Sequence, residues 1–127
     1  MPSEDIDVER AWNQLRVNVG HAKYERPADY GIYIISNGQG WYKIGKTNDI
    51  QRRINALQCG SPYRLNLTIF IFCDKKDLRK YESRLHQTFK SKRGIGEWFA
   101  LNSPDLDYLK TLTLASRKRL SELLYSR

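Results

Sequence analysis

Apolar and polar positions along the chain fall into alternating and helical rhythms, separated by glycine, proline and asparagine. The runs Tyr30-Gly31-Ile32-Tyr33-Ile34-Ile35-Ser36 and Trp41-Tyr42-Lys43-Ile44-Gly45 are rich in β-branched and aromatic side chains. Asn37-Gly38-Gln39-Gly40 lies between them and supplies turn chemistry, so the two runs predict a β-hairpin. Alternation puts Tyr33 and Ile35 on one face of the first strand, and Trp41, Lys43 and Gly45 on one face of the second. Thr47 or Asn48 is expected to cap a helix through Gln58, whose stripe of Ile50, Ile54 and Leu57 also contains Arg53. Cys59-Gly60-Ser61-Pro62 breaks that helix, and Asn66 to Cys73 reads as a third, buried strand. Three strands suffice for a small sheet.

From Lys75 to Lys90 the pattern is helical, with Leu78, Tyr81, Glu82, Leu85, His86 and Phe89 on one stripe. Gly94 and Gly96 end it in a loop, Glu97 to Leu101 reads as a short edge strand, and Ser103-Pro104-Asp105 starts another helix. Helical patterns at both ends, Asp5 to Val19 before Gly20 and Leu112 to Tyr125 with Arg117-Lys118-Arg119, read as appendages to one α/β unit. The expected division is an N-terminal helical extension at 1–28, a central domain at 29–102 and a C-terminal helical extension at 103–127.

The 127 residues suit a single domain with one modest core. Charge sharpens the picture. Lys and Arg number 22 against 14 Asp and Glu, a formal charge of +8. The first ten residues are acidic, and the basic excess gathers between Lys43 and Arg93. A basic face points to a polyanion, because each cation set against a phosphate releases a condensed counterion. No apolar run approaches the roughly 18 residues of a spanning helix, and the N-terminus lacks the pattern of a secretory signal. The protein is therefore expected to stay in the cytoplasm, with no membrane association. In that reducing compartment Cys59 and Cys73 are expected to be free thiols or small core residues; their spacing with His86 matches no familiar zinc pattern.

Glu82 is the anomaly, since a glutamate is almost never buried unless paired or metal-bound. A structural reading pairs it with His86 one turn away or with Arg53; a functional reading gives both Glu82 and Arg53 an anion pocket. Tyr33 is by itself readable as an ordinary half-buried strand tyrosine.

Read in order, Gly31-Ile32-Tyr33, a short turn, Lys43-Ile44-Gly45-Lys46-Thr47, Arg53, the helical Glu82 and Gly96-Glu97-Trp98-Phe99 resemble the GIY-YIG nuclease superfamily. The likeness is closest to its phage-type subgroup, with K-I-G in the second motif, E-x-x-x-H later and then G-E-W-F. It covers Tyr30 to Phe99. The resemblance implies a small α/β (α+β) fold around a three-stranded antiparallel sheet and hydrolysis of phosphodiester bonds in DNA with one divalent cation, Mg²⁺ or Mn²⁺. On this likeness Glu82 holds the metal, Arg53 steadies the phosphate, and Lys46 matches the basic residue that often follows the glycine. The second-motif tyrosine is replaced by Lys43, which leaves Tyr33 to activate water. A phenol of ordinary pKa about 10 is a poor base, so Lys43 or Lys46 would have to acidify it. His86 is the alternative base, or a neighbour of the metal, because an imidazole titrates near 6.5. The residue one turn after Arg53, often His or Tyr in the superfamily, is Leu57, and its distal Asn is not evident. Glu97 is a weaker candidate for a second carboxylate, while Trp98 and Phe99 are assigned to packing.

Arg52, Arg64, Lys92 and Arg93 are the candidate nucleic-acid contacts. DNA is the expected partner, RNA is compatible with the same charge, and the chain would act as a monomer or homodimer. Two readings compete with the endonuclease: a non-catalytic nucleic-acid-binding module on a degenerate nuclease scaffold, and a partner-binding subunit of a phage or mobile-element system.

Overall fold

All six residues of β1 (Gly31–Ser36) are buried, and the strand is covered on both edges. A computed structural model describes residues 30–113, residue 120 and residues 123–125. In it β1 pairs antiparallel with β2 (Tyr42–Thr47) and with β3 (Asn66–Phe72). The hairpin closes through Asn37, whose N–H donates to the Trp41 carbonyl and whose Oδ1 accepts from Gln39 and Trp41. Gly38 and Gly40 take φ of 75° and 88°, the left-handed region that a glycine enters without steric cost.

The sheet has four strands rather than the three expected, in the order β3-β1-β2-β4. β4 is only Trp98–Phe99, a shortened form of the edge strand read over Glu97 to Leu101, and it pairs with Tyr42 and Lys43. It joins because β2 would otherwise present an unpaired edge.

Each face carries its own apolar cluster. Ile32, Ile34, Ile44, Ile69 and Ile71 face one way, while Tyr33, Ile35, Leu67, Phe70 and Phe72 face the other. Leu67 and Ile69 are two apart yet lie on opposite faces, because a bulge interrupts the β1–β3 register. Ile34 is opposite Ile69 and Ile35 is opposite Leu67, which leaves Thr68 as the extra residue.

α1 (Ile50–Cys59) covers the Tyr33 face with Ile50 and Ile54. Its cap is Asp49 rather than Thr47 or Asn48. Asp49 Oδ1 accepts from the Arg52 N–H at 3.1 Å, whereas Thr47 ends β2 and its Oγ1 accepts from the Asp49 N–H. A carboxylate both fills an orphan donor and opposes the helix dipole, which favours Asp at that point.

The opposite face is covered by α2 (Leu78–Thr88), entered through a 3₁₀ turn at Lys75–Asp77, and by α3 (Ser103–Thr113). Tyr81 and Leu85 of α2 and Leu106, Leu109 and Leu112 of α3 join the cluster of Ile32. Each such side chain contributes about 1.5–3 kcal/mol of burial. Asn102 and Asp105 hydrogen-bond reciprocally across the start of α3, satisfying two backbone donors. α3 thus shares the core of the sheet, although residue 103 was the expected start of a C-terminal extension. Leu120 and Leu124 are buried in the same cluster. The expected N-terminal helix and Arg117-Lys118-Arg119 lie outside the described residues. Cys59 is exposed and Cys73 buried, and neither is joined in a disulfide. Among the described residues no helix is long and apolar enough to cross a membrane.

Candidate active site

The site forms where β2 outruns its short partner. Along β2, β4 covers only Tyr42 and Lys43, and Ile44 donates its N–H to the Glu97 carbonyl. Beyond that point the β2 edge is met by side chains. His86 of α2 places Nε2 2.7 Å from the Ile44 carbonyl oxygen. A carbonyl only accepts, so Nε2 carries the hydrogen; in the neutral ring Nδ1 then keeps its lone pair.

Tyr33 approaches from the other face. The register sets it opposite Gly45, and a Cβ on Gly45 would lie 2.2 Å from the Tyr33 hydroxyl oxygen. Glycine in the middle of β2 therefore lets the phenol cross the strand toward the edge. There Arg53 donates from Nε to the Tyr33 oxygen at 3.2 Å. Arg53 does not share the burial expected for its stripe: the residue is exposed on α1 and reaches inward along the rim.

Glu82 is 8 % exposed, on the buried stripe of α2. Its partner is neither His86 nor Arg53. Lys46 Nζ donates to Glu82 Oε1 at 3.1 Å, a pair made across 36 positions of sequence. Lys43 stands 3.7 Å from Glu97 Oε1, with its ammonium over the Trp98 ring. One donor atom from each of Glu82, His86 and Glu97 lies within 4.8 Å of the others. Two carboxylates and an imidazole are a donor set that suits a hard or borderline divalent cation, so these residues fit a metal ion. With Arg53, Lys43 and Lys46 around them, three cations face two carboxylates, a balance that also admits a phosphate.

Burial pushes the Tyr33 phenol above its ordinary value. The Arg53 hydrogen bond and charge pull it down, and the Glu97 and Glu82 carboxylates push it further up. Acidification by Lys43 or Lys46 is therefore not what this arrangement produces. The cation at the phenol is Arg53, and desolvation outweighs it. The Arg53 guanidinium is in turn held more firmly protonated by its bond to the phenol.

Tyr33, Lys43, Lys46, Arg53, Glu82 and His86 thus gather around one edge of β2. The candidate nucleic-acid contacts are more scattered. Arg52 and Arg64 are exposed on α1 and before β3. Lys92 forms an ion pair with Asp105 at the start of α3, and Arg93 donates to the Gly96 carbonyl while lying over the Phe99 ring. Sequence reasoning undervalued two members of the site. Glu97 enters the donor cluster because β4 docks beside Lys43, and Gly45 acts as the opening for Tyr33. A glycine inside an apolar strand is itself the signal of a close approach.

Compared with known families, residues 30–113 match the family model of the T5orf172 domain. No curated protein and no solved structure matches the chain.

Proposed function

The chain belongs to the T5orf172 domain family, a nuclease-like family, and from that membership and the geometry at the β2 edge we propose a metal-dependent endonuclease of GIY-YIG type acting on DNA. The observation that carries the reading is the meeting of Glu82, His86 and Glu97 donor atoms beside the Tyr33–Arg53 pair. Glu82 would hold the cation, with His86 and Glu97 completing the protein's share of the donor set. His86 is preorganised for that role, because its Nε2–H bond to the Ile44 carbonyl orients the ring. When bound, Mg²⁺ or Mn²⁺ supplies the positive charge that offsets charge developing on the phosphate and the leaving oxygen.

The remaining roles fall to the chain's own groups. Arg53 would hold a non-bridging phosphate oxygen, and Lys46, which pairs with Glu82 at the rim of the site, would supply a second positive charge at the phosphate. Lys43, paired with Glu97, would add a third. Tyr33 stays protonated and orients the attacking water by hydrogen bonding; removing a water proton through its phenolate would require ionising the phenol against burial.

Two observations favour a second reading, a nucleic-acid-binding module without catalysis: both carboxylates already have lysine partners, and the phenol is not acidified. Plasmid nicking in Mg²⁺, Mn²⁺ and EDTA separates the two. The endonuclease requires metal-dependent nicking that falls at least about a hundredfold in Glu82→Gln while the far-ultraviolet spectrum is unchanged. Equal nicking by carefully purified Glu82→Gln would refute the assignment, and metal-independent binding without product would establish the module.

A further inference from the structure

Beside the site lies an open cleft of about 380 Å³, lined by Asn37, Trp41, Gly94, Ile95 and Trp98. The cleft draws on two separate pieces of chain, the β1–β2 turn and the loop before β4. Its apolar walls are left open rather than sealed. Trp41 is 38 % exposed and Ile95 88 %, a notable exposure for two large apolar side chains so close together. Gly94 makes the cleft what it is: a Cβ there would stand 2.6 Å from the Trp41 ring, so only a glycine lets the indole lie against that loop. Asn37 contributes a polar group. Its Oδ1 is taken by the Gln39 and Trp41 N–H groups, which leaves the side-chain N–H donors without a partner among the described residues.

The cleft adjoins the candidate active site through one residue. Trp98 forms part of its wall, the Lys43 ammonium sits 5.4 Å from the centre of the Trp98 ring, and the same ammonium is 3.7 Å from Glu97. One lysine thus bridges an aromatic wall and a member of the metal-donor cluster. The occupant that matches these features is flat and aromatic, accepts hydrogen bonds from an amide, and is covalently attached to a phosphate.

We propose that this cleft receives one unpaired nucleobase, stacked on the exposed Trp41 indole, with its phosphate directed to the β2 edge. The proposal rests on the phosphodiester site above and specifies its substrate class: single-stranded DNA, or duplex with a base exposed at a gap, branch or mismatch. A base inside an intact duplex is stacked on both sides and paired, so it cannot enter without extrusion. An apolar partner side chain would need the open walls but not the Lys43 ammonium beside them.

The test is fluorescence anisotropy of the full chain in EDTA, which blocks cleavage, with a single-stranded DNA oligonucleotide and a blunt duplex of the same sequence. Trp41→Ala removes the stacking surface. Gly94→Ala removes no aromatic or charged side chain but forces the Trp41 ring to move, and Gly94 has no positive φ, so that substitution carries no backbone strain. Both variants should lose about tenfold in affinity for the single strand, the size expected for one base stacked on an aromatic ring, and keep their duplex affinity. Single-strand binding unchanged in both variants, or equal loss on both ligands, would overturn the proposal. A failure of the nuclease reading looks different: wild type would show the tryptophan-dependent preference for single strands yet yield no product with Mn²⁺, and the base-binding cleft would stand. Normal metal-dependent cleavage with variant-insensitive single-strand binding would leave the nuclease and eliminate the cleft's role.

Discussion

Replacing Gly45 by alanine adds one methyl group at the point where two halves of the site cross. The new carbon would stand 2.2 Å from the Tyr33 oxygen, 2.4 Å from Cζ and 3.0 Å from Cε1, so the phenol must move. It has little room, because Tyr33 is 1 % exposed and belongs to the cluster of Ile35, Ile50, Ile54 and Phe70. Overpacking of this kind costs about 1–3 kcal/mol. Losing the Arg53 hydrogen bond adds about 1 kcal/mol, kept at the low end because the guanidinium is partly solvated. Relief of glycine's entropy cost returns about 0.5–1 kcal/mol. The net expectation is a destabilisation of about 1–3 kcal/mol, or a fall in Tm of roughly 4–12 °C for a domain of this size. Urea titration gives the energy, and a double-mutant cycle gives the cause. In a Tyr33→Leu background the clash partner is gone, so Gly45→Ala should become close to neutral. Additive costs in the double variant, or a change below about 0.5 kcal/mol in the single one, would refute the crossing of Tyr33 over Gly45.

Further expectations concern Tyr33 and the start of α1. Burial raises the Tyr33 phenol above its ordinary value, so the folded chain keeps this proton longer than the unfolded chain. The associated stability is complete below about pH 10, the ordinary phenol value, and is lost as pH rises through the folded value. Wild type should accordingly lose more of its urea midpoint between pH 8 and pH 11 than Tyr33→Phe does; parallel losses would show that the phenol is not held protonated by the fold. Asp49→Ala should cost about 1 kcal/mol in equilibrium unfolding by exposing the Arg52 N–H, while Asn48→Ala should cost much less. Equal effects would return the cap to Asn48.

Much of this protein is written locally. The hairpin, the α1 and α2 segments and the buried third strand follow from periodicity and turn residues, because a strand or helix shows its buried side in its own repeat. The same logic singled out Glu82, a carboxylate on an apolar helical stripe. Local patterns are silent about what crosses from one element to another. Periodicity could not show that Glu97 reaches the Glu82–His86 neighbourhood, since that depends on two residues of β4 docking on β2. Nor could it show that Lys46, rather than His86 or Arg53, answers Glu82, or that Thr68 bulges out and reverses the alternation of β3. Arg53 illustrates the boundary: its place on the helix stripe is local information, but its exposure and its bond to Tyr33 depend on how far α1 overhangs the sheet. The tertiary structure decided those points because strand register and edge pairing are long-range contacts, and a shift of one residue in either would send Tyr33, Lys43 and Glu97 to different sides of the sheet.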